Sequence, residues 1–397
     1  MREGGTGLPM VKNILANNLD KFGYYKVGDK KTYSKLEAIE LHDRTGIHPE
    51  WEFNSAEFSC YDWSKEPLES LGELYKNRAQ QIRDKYDYLV LFFSGGSDSS
   101  NILDVFVKNN IKLDEVASFW SYNGDKSHDS HFSAEISKVA IPRMKKLSHI
   151  KHRLIDLSEL MNQVFNKKEI LFNWIYFMSS HLSPNNYVRS HLRRLIPEYK
   201  KLIDEGKSVC FIWGAEKPKL DYINNKYCVR FQDLIDNSVS PYLQQFSLPG
   251  EFDELFYWSP DFAKGIIKQS HIIMKYLKFA GINPLDFTEH NQKYYYGMTV
   301  REGKTFYLLP DGINRLLYEN WDIKTFSVGK PKNTIFSERD HWFFRTIPWN
   351  SSAKNYFMGL KKLDEILTKN VNGYWKNDPN DILKGVKGNL SKPYFLE

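Results

Sequence analysis

The sequence predicts an α/β chain: a parallel sheet flanked by helices. Three observations carry that expectation. Tyr88-Leu89-Val90-Leu91-Phe92-Phe93 is a continuous apolar run of strand length, which suits a strand covered on both faces. A Gly/Ser-rich turn and a helical pattern follow it directly. Strand and helix patterns then alternate for about 120 residues, the arrangement that builds a parallel sheet.

Each element has its own signal. Residues 11–65 are aromatic and irregular, with Trp51, Phe53, Phe58, Tyr61 and Trp63 close together, and read as an N-terminal cap of short elements. Pro67 opens a helix whose face carries Leu68, Leu71, Leu74, Tyr75 and Ile82. After the 88–93 strand, Asn101 to Lys108 is helical. Glu115 to Trp120 is the second strand. Phe132 to Leu147 is helical with Pro142 kinking or ending it. His152 to Leu157 is the third strand, and helical pattern dominates Ile170 to Glu205. Gly206 sits at a helix C-cap, and Ser208 to Trp213 is the fourth strand.

Beyond residue 250 the pattern turns helical. Ser259-Pro260-Asp261 starts a helix, Ser as N-cap and Pro at the first position, and Gly281 closes it. A second helix is expected over Ala353–Leu367. The division that results is 1–65 as an extension and cap, 66–255 as the sheet domain, and 256–397 as a mostly helical region.

Composition excludes several classes. Of 397 residues, 41% are hydrophobic and 26% charged, so the chain is not of a disordered type. Aromatics reach 15%, and part of that surplus is expected at surfaces or pockets. No stretch approaches the ~18–20 apolar residues of a membrane span. Residues 1–10 are Gly-rich and lack a signal-peptide layout, and the second Met at Met10 marks them as an extension before the fold. The three cysteines, Cys60, Cys210 and Cys228, form no zinc spacing, which suits a reducing, cytoplasmic setting. The net charge of +6, from 55 basic and 49 acidic residues, favours an anionic ligand such as a nucleotide. Nucleic acid stays possible but is not indicated.

The chemistry concentrates in Ser94-Gly95-Gly96-Ser97-Asp98-Ser99-Ser100, between a buried strand and a helix N-terminus. Consecutive glycines let the backbone turn tightly and present N–H groups with no side chain in the way. The helix start adds its dipole and unpaired donors. The serines add hydroxyls. Asp98 is a negative charge inside an anion site, which makes sense if it holds Mg²⁺ beside phosphate oxygens.

This loop has the form SGGxDS and resembles the PP-loop of the ATP pyrophosphatase superfamily. SGGSDSS is nearest to the asparagine synthetase-like members. The resemblance covers about 85–225. It implies a Rossmann-like sheet of the PP-loop/HUP type that binds ATP with Mg²⁺ and cleaves it between the α and β phosphates. In that group a strand ends in Gly-x-Gly-Ala-Asp-Glu followed by a Tyr. Here Val209–Trp213 runs into Gly214-Ala215-Glu216-Lys217, with Tyr222 beyond. Gly214 and Ala215 carry over, Glu216 is a second candidate for Mg²⁺, and Lys217, where the family has another acid, is a candidate phosphate contact. In the family the end of the second strand lies under the adenine, which points to Ser118 and Trp120.

Glutamine-dependent members carry a nucleophilic N-terminal Cys in a separate glutaminase domain. Here no Cys precedes Cys60, so ammonia, an amine substrate or a partner chain would supply nitrogen.

Weaker groups remain. His128, Asp129 and His131 could touch phosphate or simply lie on a solvated loop. Arg189 and Arg193, near His191 and Arg194, share a helix face that could grip an anion or be solvated. Lys264, Lys268 and His271 share a face of the 260–280 helix, and Lys268 is a candidate to reach phosphate. Tyr294–Tyr296 and Tyr318–Asp322 line a pocket or pack in the core. The tail with Tyr394, Phe395 and Leu396 is expected to dock on the body.

The leading expectation is a ligase that adenylates an acceptor oxygen for displacement by a nitrogen nucleophile. The acceptor itself is not identified by the sequence. A PP-loop sulfur transferase or nucleotide-modifying enzyme, and an ATP-binding protein without turnover, are the alternatives.

Overall fold

The computed structural model describes residues 19–120, 135–156, 196–214, 218, 220–233, 249–284, 298–301, 304–307, 313–321 and 389–397. Its centre is a five-stranded, wholly parallel sheet. The strands are β4 (Tyr88–Phe92), β5 (Glu115–Trp120), β6 (Lys151–Asp156), β7 (Val209–Trp213) and β10 (Glu251–Leu255), in spatial order β10-β7-β4-β5-β6. The chain builds outward from β4 through β5 to β6, then returns to the other side of β4 with β7. The order therefore reverses between β4 and β7, where open α/β sheets form a crevice at their carboxyl ends. Leu89, Val90, Leu91, Val209, Cys210, Phe211 and Ile212 are fully buried, as a sheet covered on both faces requires.

Ahead of this sheet stand β1 (Tyr24–Val27), β2 (Lys30–Thr32) and β3 (Glu50–Glu52), an antiparallel sheet ordered β2-β1-β3. Helix α1 (Lys35–Thr45) starts under the Ser34 cap, and the short α2 (Ser55–Phe58) follows β3. The aromatic stretch is core rather than surface. Phe58 stacks on Phe231 at 4.6 Å and Trp63 stacks on Tyr394 at 4.7 Å, while Tyr61 alone of the five is exposed.

The first long helix, α3 (Leu71–Lys85), begins later than Pro67 suggests. Ser70 accepts from Glu73 N–H and the Glu73 carboxylate returns to Ser70 N–H, a capping box that places the start at Leu71. Leu68 is left outside, 99% exposed. Helix α4 (Ser97–Lys108) follows β4. Between β5 and β6 a π-helical turn, Ile136–Ala140, runs into α5 (Ile141–Lys146), with Pro142 at the junction. Helix α6 (Pro197–Asp204) ends at Gly206, φ +81°.

The fifth strand, β10, has no apolar signature, because its acids are buried and paired. Trp213 Nε1 donates to Asp253 at 2.6 Å. Glu254 accepts from Arg78 at 2.9 Å and from Lys85 at 3.1 Å. These cations, with Lys21, hold the Glu254 carboxyl well below its ordinary value against the opposing effect of burial.

β8 (Leu220–Ile223) and β9 (Lys226–Val229) form a hairpin through Asn224 and Asn225, both left-handed. A Pro260–Phe262 turn capped by Ser259 leads into α7 (Ala263–Phe279), and Gly281 follows it at φ +64°. β11 (Met298–Arg301) pairs with β12 (Lys304–Tyr307), and α8 (Asn314–Leu317) is a single turn. β13 (Tyr394–Phe395) adds to β9, so the tail docks, with Leu396 buried. The described part of 256–397 holds α7 and the turn α8 together with β11, β12 and β13, and the helix expected at 353–367 lies outside the described residues. Among the described residues no helix is long and apolar enough to cross a membrane.

Candidate nucleotide site

β4 ends at Phe92, and the chain turns through Ser94-Gly95-Gly96 into α4 at the reversal point of the sheet. Gly95 has φ +81°, a left-handed conformation that favours glycine. A Cβ there would lie 2.4 Å from the carbonyl oxygen of Glu135 and 3.2 Å from Ala140 N. The loop is therefore pressed onto the π-helical turn, a distortion common beside functional sites. Gly96 is the N-cap of α4 and, lacking a side chain, makes no side-chain cap bond.

Internal hydrogen bonds hold the loop. Gly96 N–H donates to Ser94 Oγ at 3.1 Å. Ser99 Oγ donates to Gly96 O at 3.3 Å and lies 3.3 Å from Ser94 Oγ. Ser94 is exposed, whereas Ser97, Ser99 and Ser100 are buried. Across the crevice, the exit of β7 passes directly over α4. A Cβ on Gly214 would lie 3.1 Å from Ser99 N, so this crossing depends on a residue without one.

Asp98 is held at both ends. Its carbonyl accepts from Tyr257 Oη at 3.0 Å, and its Oδ1 accepts from Tyr318 Oη at 2.5 Å. Asn101 Nδ2 donates to Tyr257 Oη at 2.9 Å. Burial, then the Asp98 charge, pushes the Tyr318 phenol well above its ordinary value, and burial does the same for Tyr257. Both phenols therefore remain protonated donors at neutral pH.

The other candidates are placed by bonds of their own. Ser118 is fully buried in β5, its hydroxyl donating to Phe93 O at 2.7 Å and lying 3.1 Å from His152 Nε2. It fastens the end of β4 to β5. Trp120 closes β5 and is buried. Lys268 Nζ donates to Pro67 O at 3.0 Å and pairs with Glu66 at 2.9 Å, which commits it to the segment before α3. Its neighbours follow suit: Lys264 pairs with Glu69, and His271 Nε2 meets Trp63 O at 2.9 Å. Glu216, Lys217, His128, Asp129, His131, Arg189, His191, Arg193 and Arg194 lie outside the described residues, as do Tyr294–Tyr296.

The loop's geometry suits an anion. It also fits Mg²⁺ in the manner that ion prefers, through one carboxylate and substrate phosphates rather than a protein cage. Asp98 is the one carboxylate the loop itself carries, and among the described residues no cluster of three or more His, Cys, Asp or Glu competes for a metal.

Tyr257 and Asn101 carry no sequence signal. Tyr318 was visible only as one aromatic in a run. Its reach to Asp98 spans 220 residues of chain, beyond any local pattern. No protein-family model matches the chain, and no curated protein matches it.

Proposed function

We propose that the protein binds ATP at the Ser94–Ser100 loop and forms AMP and pyrophosphate while activating an acceptor oxygen. The observation that carries this reading is the loop itself: a left-handed glycine and an uncapped helix N-terminus, at the carboxyl end of β4 where the strand order reverses.

The acceptor oxygen attacks the α-phosphorus, the bond to the β-phosphate oxygen breaks, and pyrophosphate leaves with the electron pair. A nitrogen nucleophile, ammonia or an amine, then attacks the activated carbon and expels AMP, losing its proton to solvent. The loop's backbone and serines position the leaving pyrophosphate, and no covalent enzyme intermediate is needed. Asp98 would hold Mg²⁺, with Glu216 a second candidate ligand by its place after β7. Bound Mg²⁺ supplies neutralisation of phosphate charge. Tyr318 and Tyr257 keep Asp98 fixed. Lys217 remains a phosphate contact proposed from sequence, and Lys268 has no part in this scheme.

The sulfur-transfer alternative is weakened by its cysteines. Cys210 is buried in β7, and burial pushes its thiol up. Cys228 lies on β9, and its thiol is pushed up to about 12, first by burial. Neither favours the thiolate such chemistry uses.

Incubation with α-labelled ATP, Mg²⁺, ammonia and a small-molecule extract tests the proposal. Labelled AMP that requires both the extract and Asp98 is expected. Labelled ADP as the product would overturn it.

A further inference from the structure

Two buried polar atoms beside the loop, Ser100 Oγ and Asn314 Oδ1, have no hydrogen-bond partner among the described residues. Ser100 is 1% exposed, and its Oγ has no hydrogen-bond partner among the described residues. The usual recourse of a helical serine is the carbonyl four residues back. Here that is Gly96 O, already taken by Ser100 N–H and by the Ser99 hydroxyl. Asn314, at the start of α8, meets the same helix start. It is 9% exposed, and its Nδ2 lies 3.4 Å from Ser97 Oγ. The other end of that amide, Oδ1, has no partner among the described residues.

Leaving one such group unsatisfied forfeits the hydrogen bonds it made to water in the unfolded chain. Two of them flank the same helix start, since Ser97 and Ser100 share a face one turn apart. Both side chains therefore have capacity in reserve for something that enters the loop. The positive partial charge of the helix N-terminus makes an anion the entrant that these groups suit, beside the carboxylate of Asp98.

We infer that Asn314 is the second wall of the polyphosphate site, completing from the C-terminal part of the chain what the loop begins. The inference rests on the loop being that site. With the amide turned over, the Ser97 hydroxyl donates to Oδ1 and Nδ2 faces the ligand. Nδ2, the Ser100 hydroxyl and the first-turn N–H groups of α4 then converge as donors on phosphate oxygens. Tyr318, four residues on, fixes Asp98 from the same segment, so one short piece of chain serves both the anion and the carboxylate.

The test is calorimetric titration with inorganic pyrophosphate, with and without Mg²⁺, and with ATP. It compares wild type, Asn314→Ala, Asn314→Asp and Ser100→Ala, each checked for folding by thermal unfolding. Asn77→Asp, at an exposed position of α3, controls for the change in net charge. Asn314→Ala is expected to weaken pyrophosphate binding about tenfold, equivalent to about 1.4 kcal/mol. Asn314→Asp should weaken it further, because a carboxylate then faces the anion. Ser100→Ala should act in the same direction, and Asn77→Asp should match wild type. Wild-type affinity in folded Asn314→Asp would overturn this inference while leaving the loop reading intact. If the Asn314 variants do not fold, Ser100→Ala decides, and unchanged affinity in it overturns the inference. Failure of the wild type to bind pyrophosphate or ATP would overturn both readings.

Discussion

The phenol of Tyr318 donates to Asp98 Oδ1 at 2.5 Å, joining the last described helical turn before the tail to the first turn of α4. The bond is charge-assisted and the phenol is buried, so it is of the strong kind. Tyr318→Phe should lower stability by about 1.5–3 kcal/mol, read as a shift in the urea midpoint. A shift equivalent to less than about 0.5 kcal/mol, the range of a neutral surface change, would mean that the contact does not form in solution.

Gly95 cannot be replaced quietly. Its φ is +81°, and a Cβ would meet Glu135 O, a backbone atom that cannot swing aside. Gly95→Ala should cost at least about 1–3 kcal/mol of strain and displace the loop. Calorimetry should show ATP affinity falling with it. Wild-type ATP binding in a folded Gly95→Ala protein would remove the loop from the site.

Glu254 sets an acid limit on stability. It is 3% exposed and paired with Arg78, Lys85 and Lys21, and those charges hold its folded-state carboxyl below the ordinary 4.5. Its contribution is therefore complete above pH 4.5 and fades as the pH falls toward the depressed folded value. Glu254→Gln should decline less steeply on the acid side of a stability–pH curve. Arg78→Ala should be the harsher change, costing about 3–5 kcal/mol at neutral pH by breaking a buried pair. Equal acid slopes in wild type and Glu254→Gln would contradict this account of β10.

The three cysteines should separate by access. Cys60 is exposed, while Cys210 and Cys228 are buried. A thiol-specific disulfide reagent should titrate one thiol in the native protein and all three in denaturant. Rapid native reaction of Cys228 would return weight to sulfur chemistry.

How much of this was legible in the sequence depends on what each residue meets. β4, β5, β6 and β7 announce themselves, most plainly in β4 and β7 as near-continuous apolar runs, because a doubly covered parallel strand has no polar face to show. β10 does not. Glu251, Asp253 and Glu254 look like surface until Trp213 and Arg78 are placed beside Asp253 and Glu254. The loop was legible because its chemistry is local: glycines, serines and an acid within seven residues. Its supports were not, since Tyr257, Asn314 and Tyr318 arrive from more than 150 residues away. Lys268 shows the converse: its helix face is legible in the sequence, but only tertiary placement reveals Glu66 and Pro67 as its partners.

The most direct test of α–β cleavage is exchange of labelled pyrophosphate into ATP, in the presence of Mg²⁺ and the extract fraction that supports AMP formation, without a nitrogen donor. Reversible adenylation predicts label in the β and γ positions of ATP, with Asp98→Ala lowering the exchange on the order of a hundredfold. Absence of exchange, with ADP and phosphate accumulating instead, would contradict the central claim.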